Sequence, residues 1–348
     1  MTYEETEYEQ SPNKIVLVGM DVGFHSTVIQ TGTHLSELLL PETIRLPTWV
    51  SYPEHGESVE VGQSALDCRD TTRPINPLAN PKGAPLRDFA NALRSYLDPG
   101  EDHELWGVIN TPIGATPKEI EPIRLIAHQV FDRTRVLDDA LLMATAFGCR
   151  DVASKSLWID VGATSTRVVA IQGGSPGPIE ESSVIPGGGH AVRDRLSKAL
   201  RGRFPGFALT DISADGVKEH LAHVFPVMQS CPLRIVFEGK STVVNVESPV
   251  NRACEPLVDE ILQGVRSVVS GCPSDEIEEF LERIVLSGGG SRMRGLADRV
   301  QQDLRREFDD FVTVRVPQEP ATLAANGALR WAHFTEEDAW EISLFSFA

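Results

Sequence analysis

Apolar and polar positions along this chain predict strands and helices that alternate, and they do so twice. Ile15-Val16-Leu17-Val18 opens an expected strand to Met20, and β-branched residues resume from Thr27 to Thr31 after Asp21 and Gly23. Thr48 to Tyr52 is a third strand signal, and the Pro- and Asn-rich stretch Thr71 to Pro85 reads as a loop. Leu86, Phe89, Leu93 and Leu97 fall at helical spacing, and Asp98-Pro99-Gly100 stops that helix. Trp106 to Asn110 is a short buried strand. Thr116 is an N-cap with Pro117 at the first helical position, and the helix that follows buries Ile120, Ile123, Ile126 and Val130. A strand around Arg135 to Leu137 leads through Asp138-Asp139 into the Ala- and Leu-rich helix Ala140 to Phe147.

The second half opens with the apolar run Leu157-Trp158-Ile159, then Asp160, then a strand carrying Val168-Val169. Trp158, inside a strand, belongs to the core. Gly187-Gly188-Gly189 is a turn before a helix from about His190. The basic stretch Arg193 to Arg203 is interleaved with apolar residues and reads as an amphipathic helix. Leu233 to Val246 forms a hairpin turning near Glu238-Gly239-Lys240, and a long helix lies near Glu255 to Val269. Arg283 to Ser287 is a strand, Gly288-Gly289-Gly290 a turn, and Met293 to Phe308 a helix. Meanders interrupted by helices, twice over, make a mixed α/β fold with two lobes.

The repetition extends to individual residues. Asp21-Val22-Gly23-Phe24-His25-Ser26-Thr27 and Asp160-Val161-Gly162-Ala163-Thr164-Ser165-Thr166 agree at five of seven positions. One copy alone is a hairpin turn; two in equivalent contexts point to related half-domains whose turns grip a phosphate chain from both sides. The chemistry fits. A strand-end Asp holds a hydrated divalent cation, and magnesium keeps most of its waters, so one or two carboxylates suffice. The Gly turn exposes N–H groups to an anion, and Ser and Thr hydroxyls donate further. Each Gly turn feeds a strand, which excludes a dinucleotide-binding fingerprint, and no GxxxxGK[ST] run exists. A third element, Ile284 to Ser291, runs a strand into three glycines and a helix, whose N-terminus adds partial positive charge. His25, inside the first turn, is read as a solvated surface residue.

Composition narrows the class. The 348 residues leave room for two domains, and 41 % hydrophobic content is ordinary for a globular protein. A net charge of −18 disfavours nucleic acid and anionic lipid as partners. No apolar run approaches the roughly 20 residues that cross a bilayer, and Met1 to Gln10 is acidic, unlike a signal peptide, so a cytoplasmic protein is expected. The five cysteines are scattered without a CxxC pair and read as reduced, packed thiols.

The three elements, in this order, resemble the actin-like ATPase superfamily over about residues 14 to 333. Within it the likeness is to the bacterial actins, and among those to the MamK magnetosome-filament family. Val50-Ser51-Tyr52-Pro53 with Val61-Gly62, Arg203-Phe204-Pro205 with Val217-Lys218-Glu219, Glu255-Pro256-Leu257, Ser287 to Leu296, and Ala325-Asn326-Gly327-Ala328-Leu329 carry it. The resemblance implies an α/β, actin-like two-lobed fold of duplicated ribonuclease-H-like domains around a nucleotide cleft. Its expected boundaries are a disordered tail at 1–13, lobe I at 14–154, lobe II at 155–333 and a C-terminal tail at 334–348.

It also implies ATP and magnesium as cofactors, slow hydrolysis, and polymerisation of the chain with itself into cytoskeletal filaments that position an organelle or other cargo through a cargo or adaptor protein. By the same resemblance, Asp21 and Asp160 arrange magnesium through water, and Asp160 with Asp139 forms the catalytic pair. Gly23, Ser26, Thr27, Gly162, Thr164 and Thr166 match the phosphate turns, Lys218 and Glu219 the adenosine contacts, and Gly288, Gly289 and Ser291 the adenine-side loop. Three positions depart from the pattern: Phe24 replaces a small hydroxylated residue, Arg167 a common Asp, and Asp139 a Glu. Asp138, next to Asp139, is a carboxylate able to substitute for it, with surface solvation as its expected role. The departures keep a second reading open, a non-polymerising ATP-binding adaptor of the pilus-assembly or division type. A small-molecule kinase is a third reading, for which the chain has little room. The apolar end, Trp340 to Phe347, is expected to dock onto the body or a neighbouring protomer and carries no strong membrane signal.

Overall fold

The computed structural model describes residues 14–33, 42–53, 58–68, 72–79, 83–97, 100, 103–147, 155–172, 175–176, 182–207, 211–224, 230–237 and 240–342. The expected tail at 1–13, the Glu238-Gly239 turn, and Leu344, Phe345 and Phe347 lie outside them. By packing, the chain divides into two units: 1–111, 115–137 and 325–348 in the first, 112–114 and 138–324 in the second. The lobes expected from the sequence follow the repeated motif, whereas these units follow contacts, so the two divisions differ after Asp138 and near the chain end.

The first unit is built on β1 (Lys14–Val22), β2 (Ser26–Thr33), β3 (Glu42–Pro47), β4 (Val50–Ser51), β5 (Glu60–Val61), α1 (Gln63–Asp67), α2 (Ala84–Leu97), β6 (His103–Thr111), α3 (Pro117–Val130) and β7 (Arg133–Asp138). Its main sheet has the order β7-β6-β1-β2-β3. β1 runs parallel to β6, with Met20 opposite Ile109, and antiparallel to β2, with Asp21 opposite Val28. The helical face of α2 (Leu86, Phe89, Leu93, Leu97) and that of α3 (Ile123, Ile126, Val130) bury Val18, Met20, Val22 and Ile109; Ile120 is only half-buried. α3 starts as its capping sequence predicts: Glu119 accepts both the Thr116 backbone N–H and its hydroxyl at 2.8 Å. Of the expected strand at Thr48 to Tyr52, only Val50–Ser51 is strand, and β3 went unread because it is a short edge strand whose inward face, Ile44 and Leu46, is only half-buried.

The second unit contains α4 (Asp139–Phe147), β8 (Lys155–Val161), β9 (Ser165–Gln172), β10 (Ser175–Pro176), β11 (Ser182–Pro186), α5 (Gly188–Arg203), α6 (Asp211–Leu221), β12 (Pro232–Phe237), β13 (Lys240–Asn245), α7 (Glu247–Val269), α8 (Ile277–Leu281), β14 (Ile284–Ser287), α9 (Leu296–Phe308) and β15 (Val314–Arg315). Its sheet runs β15-β14-β8-β9, with β10 and β11 both pairing to β9. That order repeats the first unit's β7-β6-β1-β2-β3, with the parallel neighbour of the acidic hairpin on the same side each time. One face of this sheet (Ile159, Val161, Val168, Ala170) packs on α5, α7 and α9. The other (Trp158, Val169, Ile171) packs on α4, so Trp158 is core as expected. α7 begins at Glu247, two turns before the expected start: the Ser248-Pro249 step reads as a breaker, yet proline is tolerated in a first turn. The last expected helix starts at Leu296 rather than Met293, because a 3-10 turn (Gly289–Arg292) and left-handed Gly295 (φ 79°) come first.

The chain closes with α10 (Leu323–Phe334), whose residues from Ala325 onward belong to the first unit, and β16 (Glu341–Ile342). α10 lies directly on β1: a Cβ at Gly19 would overlap the Ala325 carbonyl and the Leu329 backbone. β16 pairs with the outer edge of β7, and Trp340 is buried against Trp106 with ring centroids 5.5 Å apart. The Arg133 guanidinium covers the Trp106 ring at 4.4 Å. This stretch of the apolar end therefore docks onto its own unit.

Candidate functional site

Each acidic hairpin ends in a turn closed in the same way. The Gly23 N–H donates to the Ser26 carbonyl at 3.2 Å, and the Gly162 N–H to the Ser165 carbonyl at 2.9 Å. Each turn is also held from behind through its carbonyls. In the first unit, Gly23 accepts from the Thr48 hydroxyl (2.8 Å), Phe24 from the Asn76 amide (2.6 Å) and His25 from the Thr48 N–H (3.1 Å). In the second, Gly162, Ala163 and Thr164 accept from the N–H groups of Gly189, His190 and Gly187 at 2.9, 2.8 and 2.7 Å. Carbonyl and N–H point in opposite directions across a trans peptide. Three carbonyls turned into the protein therefore aim the N–H groups of the same peptide planes outward, the polarity an anion takes. Unrelated segments produce this polarity in the two units.

The strand-end carboxylates are set by the neighbouring parallel strand. Asn110, at the end of β6, donates to Asp21 at 2.7 Å and accepts the Val22 N–H at 2.9 Å. Ser287, at the end of β14, sits opposite Asp160, and its hydroxyl lies 3.3 Å from the carboxylate. That hydroxyl also lies within 3.2 Å of the Met143 sulfur and 3.4 Å of the Ile159 carbonyl, so Asp160 is held less firmly than Asp21. Burial pushes the Asp160 carboxyl above its ordinary range, opposed by Ser287 and by the charge of Arg167.

Arg167 is buried, opposite Asp160 in the β8–β9 register. Its Nε donates to the Ser165 hydroxyl at 3.1 Å, and a terminal nitrogen donates to the Ile113 carbonyl. Asp138 is not the solvated residue the sequence suggested: it caps α4 by accepting the Ala140 N–H at 2.8 Å and also accepts the Gly114 N–H. Burial raises its pKa above the ordinary carboxylate value, with those two N–H groups and Arg167 pulling the other way. Asp139 is buried at the first position of α4. Met143, one turn on, touches Ser287, so α4 and the Asp160 strand share one packed cluster.

The remaining expected residues divide. Ser26 is half-buried and Thr164 exposed at their turns. Thr27 and Thr166 are fully buried; Thr27 bonds Thr48 at 3.1 Å, behind the turn, and the Thr166 hydroxyl has no partner. β2 and β9 are covered on both faces, so a Thr one step past the turn enters the core. Lys218 reaches the start of α5: its ammonium lies 3.6 Å from where a Gly189 Cβ would be, and it pairs with Asp215 at 2.5 Å. Glu219 is exposed beside it. Gly288 is pressed onto Asp160 and Val161, and Gly289 is open. Ser291 is buried and donates to the Gly288 carbonyl at 2.7 Å, so it closes the loop on itself. The helix expected to aim its N-terminus at this loop begins five residues beyond Ser291, which removes its dipole from the argument. Sequence reasoning missed Asn110 and the Gly187–His190 support; the second glycine triplet, twin of Gly288–Gly290, was the available signal.

Among the described residues no three His, Cys, Asp or Glu side chains cluster as a metal site, and no helix is long and apolar enough to cross a membrane. The donor set does fit magnesium held through water. Each hairpin offers one strand-end carboxylate, hydrogen-bonded to a neutral side chain, Asn110 or Ser287.

The acidic hairpins and their repeated sheet order define an actin-like fold, and solved structures agree. The chain matches one titled "MamK double helical filament" with a TM-score of 0.81 at 24 % identity, covering 91 % of this chain and 98 % of that one. It matches MreB5 of Spiroplasma citri bound to ADP with a TM-score of 0.74 at 16 % identity, covering 92 % and 97 %. Among curated proteins, a MamK-like protein of Paramagnetospirillum magneticum is 27 % identical over 94 % of this chain and 97 % of its own. The actin-like protein MamK of the same organism is 26 % identical over 95 % and 96 %. The profile of the family described as MreB/Mbl protein matches residues 93–339, and the chain belongs to that family.

Proposed function

We propose that this protein is an actin-like, ATP-binding subunit that polymerises with itself into cytoplasmic filaments and hydrolyses ATP slowly. The observation that carries this reading is the matched polarity of the two turns, each with its carbonyls tied back. Relatives support it: one solved MamK is a double helical filament, and a non-polymerising MamK mutant is bound to AMPPNP. Phosphate would be held by the N–H groups of the Gly23 and Gly162 turns with Ser26 and Thr164; Lys218, Glu219, Gly288 and Gly289 would line the nucleoside side. Magnesium, ordered through water by Asp21 and Asp160, would supply charge neutralisation of the phosphates. Asp160 and Asp139 would hold the attacking water. Asp139 is one methylene shorter than the family's glutamate, and a group misplaced by about 1 Å loses on the order of a hundredfold in rate, which makes turnover slow. A cargo or adaptor would bind the filament rather than the nucleotide site.

Sedimentation and negative-stain imaging with ATP, ADP and no nucleotide test the reading, alongside phosphate release and an Asp160→Ala variant. Nucleotide-dependent pelleting is expected, with turnover lost in the variant. A protein that binds no nucleotide and never pellets overturns it; one that binds nucleotide without filaments or phosphate release is an adaptor instead.

A further inference from the structure

We propose that Arg167 is the positioning residue of the hydrolytic half of the site, fixing α4, which carries Asp139, against the strand end that carries Asp160. This rests on the nucleotide reading above and adds a residue to it. Four pieces of backbone meet at this side chain. It is opposite Asp160 across the β8–β9 ladder; it donates to Ser165 in the turn and to the carbonyl of Ile113. Its charge also acts on Asp138, the cap of α4, which itself accepts the N–H of Gly114, the residue after Ile113. Arg167 and Asp138 thus hold the 113–114 segment by its carbonyl and its N–H, and α4 is fixed through the same carboxylate. A buried guanidinium has a planar fork with several donors, which lets one side chain serve several acceptors at once. Asp at this position would repel Asp138 and Asp160, so Arg here is a different solution for setting the distance between Asp139 and Asp160.

The test uses the full chain with Arg167→Met and Arg167→Lys. Steady-state phosphate release should show kcat falling about tenfold or more in Arg167→Met, with KM for ATP within about threefold, and Arg167→Lys recovering part of the loss. Hydrogen exchange of nucleotide-free protein should show faster exchange at Gly114 and Ala140 in Arg167→Met, and this readout needs no catalysis. Should Arg167→Met fail to fold, Arg167→Lys carries both measurements, with smaller effects of the same sign. Unchanged kcat, kcat and KM worsening together, or unaltered exchange at Gly114 and Ala140 overturns the proposal. If the wild type itself binds no nucleotide, the functional reading fails while the exchange result still decides whether the clamp exists.

Discussion

Gly288→Ala separates a site built on close approach from one that merely contains a flexible loop. Gly288 has φ 78° and ψ 169°, a region of backbone space that side chains other than glycine's enter at about 1–3 kcal/mol. Its added Cβ would lie 2.5 Å from an Asp160 carboxylate oxygen and 2.6 Å from the Val161 carbonyl. Ordinary Cβ contacts start near 3.4 Å, so the loop or Asp160 must retreat by about 0.9 Å (3.4 − 2.5). Val161 is buried strand backbone and cannot give way, so the strain falls on the Asp160 side chain and the loop, and overpacking at such a place costs about 1–3 kcal/mol more. The sum, about 2–6 kcal/mol, is large against the 5–15 kcal/mol that keeps a typical domain folded. Because the atom displaced first is Asp160 itself, phosphate release should fall on the order of a hundredfold even under conditions where the variant stays folded. Gly289→Ala is the control. No atom lies within 4 Å of its added Cβ, and it should change stability by no more than about 0.5 kcal/mol. Urea unfolding midpoints and single-turnover phosphate release measure both. Equal stability of Gly288→Ala and wild type, or equal damage from the two substitutions, refutes the reasoning.

Two further outcomes follow from buried polar groups. Thr166→Val should leave stability unchanged or raise it by about 1 kcal/mol, because it removes a buried hydroxyl without a partner; Thr27→Val should lower it by about 1 kcal/mol, because it removes the buried hydrogen bond to Thr48, whose own proton stays on the Gly23 carbonyl. The same sign in both would contradict the structure. Burial raises the Cys254 thiol from 9.0 to about 11. A folded value above the unfolded one means a contribution fully present below pH 9 and lost as pH rises through 11, up to about 3 kcal/mol. The stability gap between wild type and Cys254→Ala should therefore narrow over that window, and a gap that stays flat counts against it.

Sequence made the hairpins legible because a buried strand, an Asp and a Gly turn are all local. Leu157 to Val161 and Ile15 to Val22 are strands for the same reason: apolar runs with turn residues at their ends. What stayed hidden was tertiary. Asn110 lies 89 residues from Asp21 and becomes its partner only through parallel pairing of β1 with β6. β3 and the start of α7 escaped because one buries only Ile44 and Leu46, and those partly, and the other carries Pro249 in its first turn. Thr27 and Thr166 were assigned to the turns by position in a motif, yet both strands are buried on two faces, and strand parity alone does not say which face opens to a ligand. Arg167 stood out in the sequence only as a misfit. Its function as a hub appears once Ile113, Ser165 and Asp138 are brought around it.

The duplication also explains why the two carboxylates are not interchangeable. Asn110 and Ser287 occupy the same place in the repeated sheet, at the end of the strand parallel to the acidic hairpin. An amide in that place has separate donor and acceptor groups, so Asn110 locks Asp21 and Val22 together, at 2.7 and 2.9 Å. A hydroxyl has one proton, and Ser287 has three acceptors within 3.4 Å, only one of them Asp160. Asp160 therefore loses little when it turns from Ser287 to another donor, whereas Asp21 must break a short bond to move. In the nucleotide site proposed above, the fixed carboxylate would suit a group that orders a hydrated cation throughout a cycle, and the loosely held one a group whose partner changes when phosphate is cleaved.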